Sequence, residues 1–152
     1  MLKEDLELYA KYEEGYEIST VEEFLNISNN PSANYILTNN ISFNGMIIEK
    51  ICNFSGKLFG NGYALSDFMM NASSISGNYG IFNSNSGTIK DLTLKDFTFN
   101  ISISNSQATV GILTGKNTGI IDNVNIEGVI SNITSNKTDS LNSFKFGCIA
   151  GD

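Results

Sequence analysis

The chain has 152 residues, enough for one domain with a buried core and short for two. Nine lysines and no arginine stand against sixteen carboxylates, a net charge of −7 that disfavours nucleic acid and anionic membrane as partners. Histidine, arginine and tryptophan are all absent, which removes the commonest general base, the bidentate anion clamp and the strongest ring for stacking on sugars.

The charge is concentrated at the start. Residues 1–23 carry eight acids and two lysines, whereas residues 24–152 carry eight acids and seven lysines, so the body is nearly neutral and draws its polarity from Asn, Ser and Thr. Residues 1–17 form an acidic segment in which Leu2, Leu6 and Tyr9 keep helical spacing, and they read as a helix or a tail. Acids stand there where a secretion signal has an apolar run, and no apolar run further on approaches the roughly 18 residues of a membrane span.

The structured domain is expected over 18–152. In "STVEEFLN", Thr20 with Glu23 three residues later is a capping box, predicting a short helix that ends before Pro31 and covers the end of the core with Val21, Phe24 and Leu25. "NYILTNNISF" predicts a strand over Tyr35 to Leu37 and a turn over Thr38 to Asn40.

From Phe54 onward the chain repeats itself. "FSGKLFGNGYALSDF" is a degenerate first copy; "GIFNSNSGTIKDLTLKDFTF" begins at Gly80, "GILTGKNTGIIDNVNIEGVI" at Gly111 and "GCIAGD" at Gly147. In register, Gly87 matches Gly119 after a one-residue insertion, and Ile89, Asp91, Leu92, Leu94 and Phe97 fall on Ile121, Asn123, Val124, Ile126 and Val129. Apolar and polar residues alternate within each copy, the period of a strand, and the copies are punctuated by Gly, Asn and Ser. Such a period of about 30 residues fits stacked circuits of a parallel β-helix. Stacking would set Lys95 beside Glu127 on the outside.

Gly111 to Lys116 superficially matches a phosphate loop. Only three residues separate its glycines where the motif has four, and Asn117 follows Lys116 where a hydroxyl is required. Gly111 and Gly115 recur as Gly147 and Gly151, so they punctuate the repeat. The polar stretches Asn100 to Thr109 and Ser131 to Ser143 are expected as outward loops, with Phe99, Ile101 and Ile103 marking one more strand within the first. Asn-x-Ser/Thr triplets at Asn26, Asn40, Asn53, Asn71, Asn100, Asn132 and Asn136 are what an Asn- and Ser-rich chain produces by chance.

The carboxylates of the repeat body are Asp67, Asp91, Asp96, Asp122 and Glu127. Asp91 is matched by Asn123 and Asp122 by Lys90, so no carboxylate ladder survives between copies. There is no EF-hand spacing and no Gly-Gly-x-Gly-x-Asp for calcium, no His to activate a serine, and no regular threonine array. No catalytic, cofactor-binding or metal-ligating residue is therefore assigned, and no cofactor is expected. Lys90, Asp91 and Asp122 form the cluster that an enzyme on this scaffold would have to use. Cys52 and Cys148 are each expected as partly buried structural thiols, unbridged because three strand spacings, about 14 Å, separate them.

"ISTVEEFLN", "YILTNNISF", "FSGKLFGNGYALSDF", "GIFNSNSGTIKDLTL", "GILTG" and "GCIAG" together resemble the GLUG-repeat modules of bacterial surface and secreted proteins, over Ile18 to Asp152. The resemblance implies an all-β fold, a right-handed parallel β-helix (β-solenoid) of about four coils with a short N-terminal capping helix, within a larger exported protein such as an adhesin. It carries over no catalytic residue. Family members continue past the point where this chain stops, which implies a repeat cut at its start and an open strand edge prone to end-to-end self-association. The function expected is a non-catalytic display or adhesion module, outside the cell or on its surface, binding a glycan or a host or surface protein through its polar face or inter-coil loops, with neither nucleic acid binding nor membrane insertion. The alternatives are a polysaccharide lyase or glycoside hydrolase on the same scaffold, and a passive spacer.

Overall fold

The structure, a computed structural model, describes residues 14–49, 51–73, 77–103, 107–135 and 143–152. Most of the acidic segment expected as a helix or tail lies outside them. Its last residues do not: β1 (Tyr16–Ile18) starts ahead of the expected boundary at Ile18 and pairs in parallel with Tyr35, Ile36 and Leu37. Burial of Ile18 secures this strand.

Helix α1 (Val21–Leu25) follows and tightens into a 3-10 turn over Asn26–Asn29, ending before Pro31. The capping box forms as the sequence predicts. Thr20 Oγ1 accepts from the Glu23 amide at 3.2 Å, and Glu23 Oε2 accepts from the Thr20 amide at 3.1 Å. Phe24 and Ile27 are wholly buried, with the Phe24 ring 5.8 Å from Phe43 and 6.3 Å from Phe82. The helix thus seals one end of the core.

Beyond it the molecule is all-β, and every pairing among the described strands is parallel. β2 (Asn34–Leu37), β3 (Ile41–Ser42) and β4 (Asn53–Phe54) are followed by β5 (Lys57–Phe59), β6 (Ala64–Ser66), β7 (Met69–Ser73), β8 (Gly77–Tyr79) and β9 (Phe82–Asn85). The later copies are β10 (Thr88–Lys95), β11 (Thr98–Ile103), β12 (Gln107–Gly111) and β13 (Thr114–Asn117), then β14 (Ile120–Glu127), β15 (Ile130–Ser135) and β16 (Ser143–Gly147). One sheet takes β1, β2, β5, β10, β6, β3 and β14; three smaller ones take β7, β11, β15, then β8, β12, β16, then β4, β9, β13. The chain visits these sheets in the same order in each copy. Each strand lands beside its counterpart from the copy before.

The pairing register is the one the repeats predict: Ile89 lies opposite Ile121, Leu92 opposite Val124, Leu94 opposite Ile126 and Gly111 opposite Gly147. In-register parallel pairing stacks like residues, so the core is built of columns. Leu58 and Ile89 share one, Leu65 and Leu94 another, all wholly buried. Phe68 lies 5.3 Å from Phe43 and 3.6 Å from Phe97, ring centre to centre. Each such side chain contributes about 1.5 to 3 kcal/mol by leaving water.

Two devices shape the bends and turns of the chain, within sheets as well as between them. The first is a set of Asn and Asp residues in the left-handed region: Asn44, Asn61, Asp67, Asp91, Asp96 and Asn123 have φ between 49° and 58°. Their short polar side chains tolerate that conformation better than other non-glycine residues. The second is close approach. A β-carbon on Gly87 would overlap the carbonyl oxygen of Gly56, and one on Gly119 that of Gly87, so this column admits only glycine.

Where the structure describes them, the expected outward loops are strands; residues 104–106 and 136–142 of those stretches lie outside the described residues. Residues 100–103 and 107–109 belong to β11 and β12, and 131–135 to β15. Alternation explains the difference: Phe99 and Ile101 point inward while Asn100 and Ser102 point outward, so a stretch that is polar on average still buries one side.

Candidate functional site

The same alternation creates an ordered outer face on β7, β11 and β15. Asn71, Asn100 and Asn132 are register partners, and their amides chain together: Asn132 Nδ2 donates to Asn100 Oδ1 at 2.9 Å, and Asn100 Nδ2 to Asn71 Oδ1 at 2.9 Å. Two residues on, Ser73, Ser102 and Thr134 align as a second polar column. On the other side run Ile47, Met69, Thr98 and Ile130, with Ile47 and Ile130 exposed. The result is a ribbon with an apolar margin, an amide ladder and a hydroxyl row.

The triplets Asn71 to Ser73, Asn100 to Ser102 and Asn132 to Thr134 therefore have a structural cause. Period-two alternation places Asn and Ser or Thr outward around one inward residue. Aligning these three triplets across the copies would have revealed the ladder, which reading them as chance occurrences missed.

The carboxylates serve the backbone. Asp67, Asp91 and Asp96 occupy left-handed corners. Asp91 Oδ1 accepts from Asn123 Nδ2 at 2.7 Å, stacking one corner on the next. Asp67 Oδ2 accepts from the hydroxyls of Ser42 and Ser66, each at 2.8 Å. The Ser42 bond, then the Ser66 bond, holds the Asp67 carboxyl below its ordinary pKa, with a smaller contribution from the charge of Lys95. Lys95 and Glu127 are register partners with exposed side chains, as expected.

Of the cluster singled out for an enzyme, Lys90 and Asp122 are cross-strand partners, with the Lys90 ammonium 4.7 Å from the centre of the Phe59 ring. Asp91 is engaged by Asn123 as described. Among the described residues no group of three or more His, Cys, Asp or Glu is placed to hold a metal ion. Gly111 and Lys116 of the phosphate-loop lookalike lie in β12 and β13, where Gly111 approaches the carbonyl of Thr114 and the backbone of Ala150.

The cysteines are both free and differ from each other. Cys52 is partly buried, and burial pushes its thiol up to about 11. Cys148, expected to be partly buried too, is exposed just after β16.

Fold and face together define an all-β protein of in-register parallel sheets with a polar outer ribbon. No family model matches the chain, and no solved structure does. A protein of Evansella cellulosilytica, provisionally named a Gly-rich membrane protein, is 40% identical to it over 78 residues, which make up 49% of this chain and 8% of that relative. The chain thus spans only a small part of that relative's length. No helix among the described residues is long and apolar enough to cross a membrane.

Proposed function

We propose that the chain is a right-handed parallel β-helix module of the GLUG-repeat kind, of about four coils under an N-terminal helix, acting as a non-catalytic display or adhesion element of a larger cell-envelope or exported protein. The parallel ladders and the fixed order in which the chain revisits its sheets support the coil, and a right-handed sense is the rule for parallel crossovers. The relative's name supports an envelope setting.

One observation carries the functional reading: polar side chains are ordered into columns on the outer face, while Asp67, Asp91 and Asp96 are taken up by left-handed backbone positions. A face of amides and hydroxyls suits reversible binding of a glycan or a protein. It offers little to proton transfer, which needs a group poised near neutral pH.

A glycan and surface-protein array probed with the full chain tests this, with any depleted glycan checked by mass spectrometry. Retention without cleavage is the expected result. Cleavage products would overturn it and make Lys90, Asp91 and Asp122 the first targets for substitution.

A further inference from the structure

The side chains of the amide ladder already bond to one another. A concave site lies at the N-terminal end, in a cleft of about 450 Å³ between β1 and the helical turns. That volume falls in the range of small-ligand sites, roughly 300 to 1,000 Å³.

Its lining combines three kinds of group. Tyr16 is 65% exposed, with its ring 5.8 Å from that of Tyr35. Tyr35 is nearly buried and fixed by donating its hydroxyl to the Asn30 carbonyl at 2.8 Å. Asn26 and Asn29 face the cleft and are linked to each other by a 3.3 Å bond that leaves other donors and acceptors of both amides open. Glu17 and Glu23 supply carboxylates, and Glu23 Oε2 is already held by Ser19 and Thr20.

An exposed aromatic ring offers the face on which the C–H side of a pyranose rests, while amides and carboxylates pair with its hydroxyls. Charge narrows the choice. Among the described residues two carboxylates and no lysine line the cleft, so an acidic polysaccharide would meet repulsion from them. Tyr16 also borders a second, smaller groove with Glu14, Gly15 and Asn34.

Resting on the glycan-binding form of the proposed function, we infer that the Tyr16–Tyr35 cleft is the sugar-binding site of this module and takes a short segment of an uncharged glycan.

The test is calorimetric titration of the full chain with the neutral oligosaccharide best retained on the array, comparing wild type with Tyr16→Ala, Asn29→Ala and Asn100→Ala. Tyr16→Ala is expected to weaken binding about tenfold or more, and Asn29→Ala to weaken it measurably, while Asn100→Ala leaves it unchanged. Because Tyr16 is largely exposed, its thermal midpoint should stay near that of wild type, separating lost contact from lost fold. Preference for acidic glycans, or binding lost in Asn100→Ala but kept in Tyr16→Ala, overturns the cleft and leaves the display function standing. Retention of a protein but no glycan does the same. Retention of neither overturns both.

Discussion

The side-chain amide of Asn85 donates to Oδ1 of Asn117 at 2.7 Å, joining two copies of the repeat inside the protein. Asn85 is fully buried and also accepts from the Gly87 amide at 3.1 Å; Asn117 in turn donates to the Gly119 carbonyl at 3.1 Å. The pair closes the turn before each stacked glycine.

Asn85→Ala strands the Gly87 amide and one face of Asn117 without partners. A buried unsatisfied group costs about 1 to 3 kcal/mol, so the urea midpoint should fall accordingly. A midpoint equal to that of wild type would show that water replaces the amide at no cost.

Gly87→Ala collides with the Gly56 carbonyl and should destabilise by about 1 to 3 kcal/mol through forced separation of the strands. Gly62→Asn is the control. Gly62 has φ 79° with open space beside it, a position asparagine tolerates. If thermal melting ranks the two variants equally, close approach is not what selects glycine at residue 87.

Truncating the end cap should be expensive. Phe24→Ala leaves a cavity against Phe43 and Phe82 and is expected to cost about 3 to 5 kcal/mol, whereas Thr20→Ala, losing only the cap bond, costs about 0.5 to 2. Equal losses in chemical denaturation would mean that the helix does not seal the core.

Stability should decline in acid partly through Asp67 and Glu23. Hydrogen bonds, from Ser42 and Ser66 for Asp67 and first from Ser19 for Glu23, hold both carboxyls below their ordinary values of 3.8 and 4.5. A lowered folded pKa gives stability that is complete above the ordinary value and is lost as pH falls through the folded one. Ser42→Ala should raise the Asp67 pKa, followed by NMR titration, and Asp67→Asn should flatten the acid limb of the stability curve while keeping the left-handed corner. An unmoved Asp67 titration in Ser42→Ala would refute the assignment.

The two thiols should label at different rates. With its pKa at about 11, Cys52 is thiolate to roughly one part in a thousand at pH 8, and its partial burial slows access further. Exposed Cys148 should alkylate first, as peptide mass spectrometry after a short iodoacetamide pulse would reveal. Preferential labelling of Cys52 would contradict the packing around it.

Much of this protein was legible in one dimension. The Thr20 and Glu23 capping box is local chemistry, and it forms as written. Ile89 opposite Ile121 and Gly111 opposite Gly147 follow from repetition alone, because like stacks on like when copies pair in parallel register. What the sequence could not decide is which polar residues face a loop and which face a sheet. Asn100 and Ser102 read as loop by composition; only the neighbouring Met70 and Ala72 rows show that Phe99 and Ile101 have a core to enter. The left-handed duty of Asp67 and Asp96 is likewise set by where one sheet must bend into the next, and that of Asp91 by a bend within β10, since an aspartate's backbone preference permits such a bend without requiring it. The Tyr16 cleft belongs wholly to the tertiary structure: β1 and the helical turns are separate in sequence signal, and only pairing of β1 with β2 brings the two tyrosine rings together.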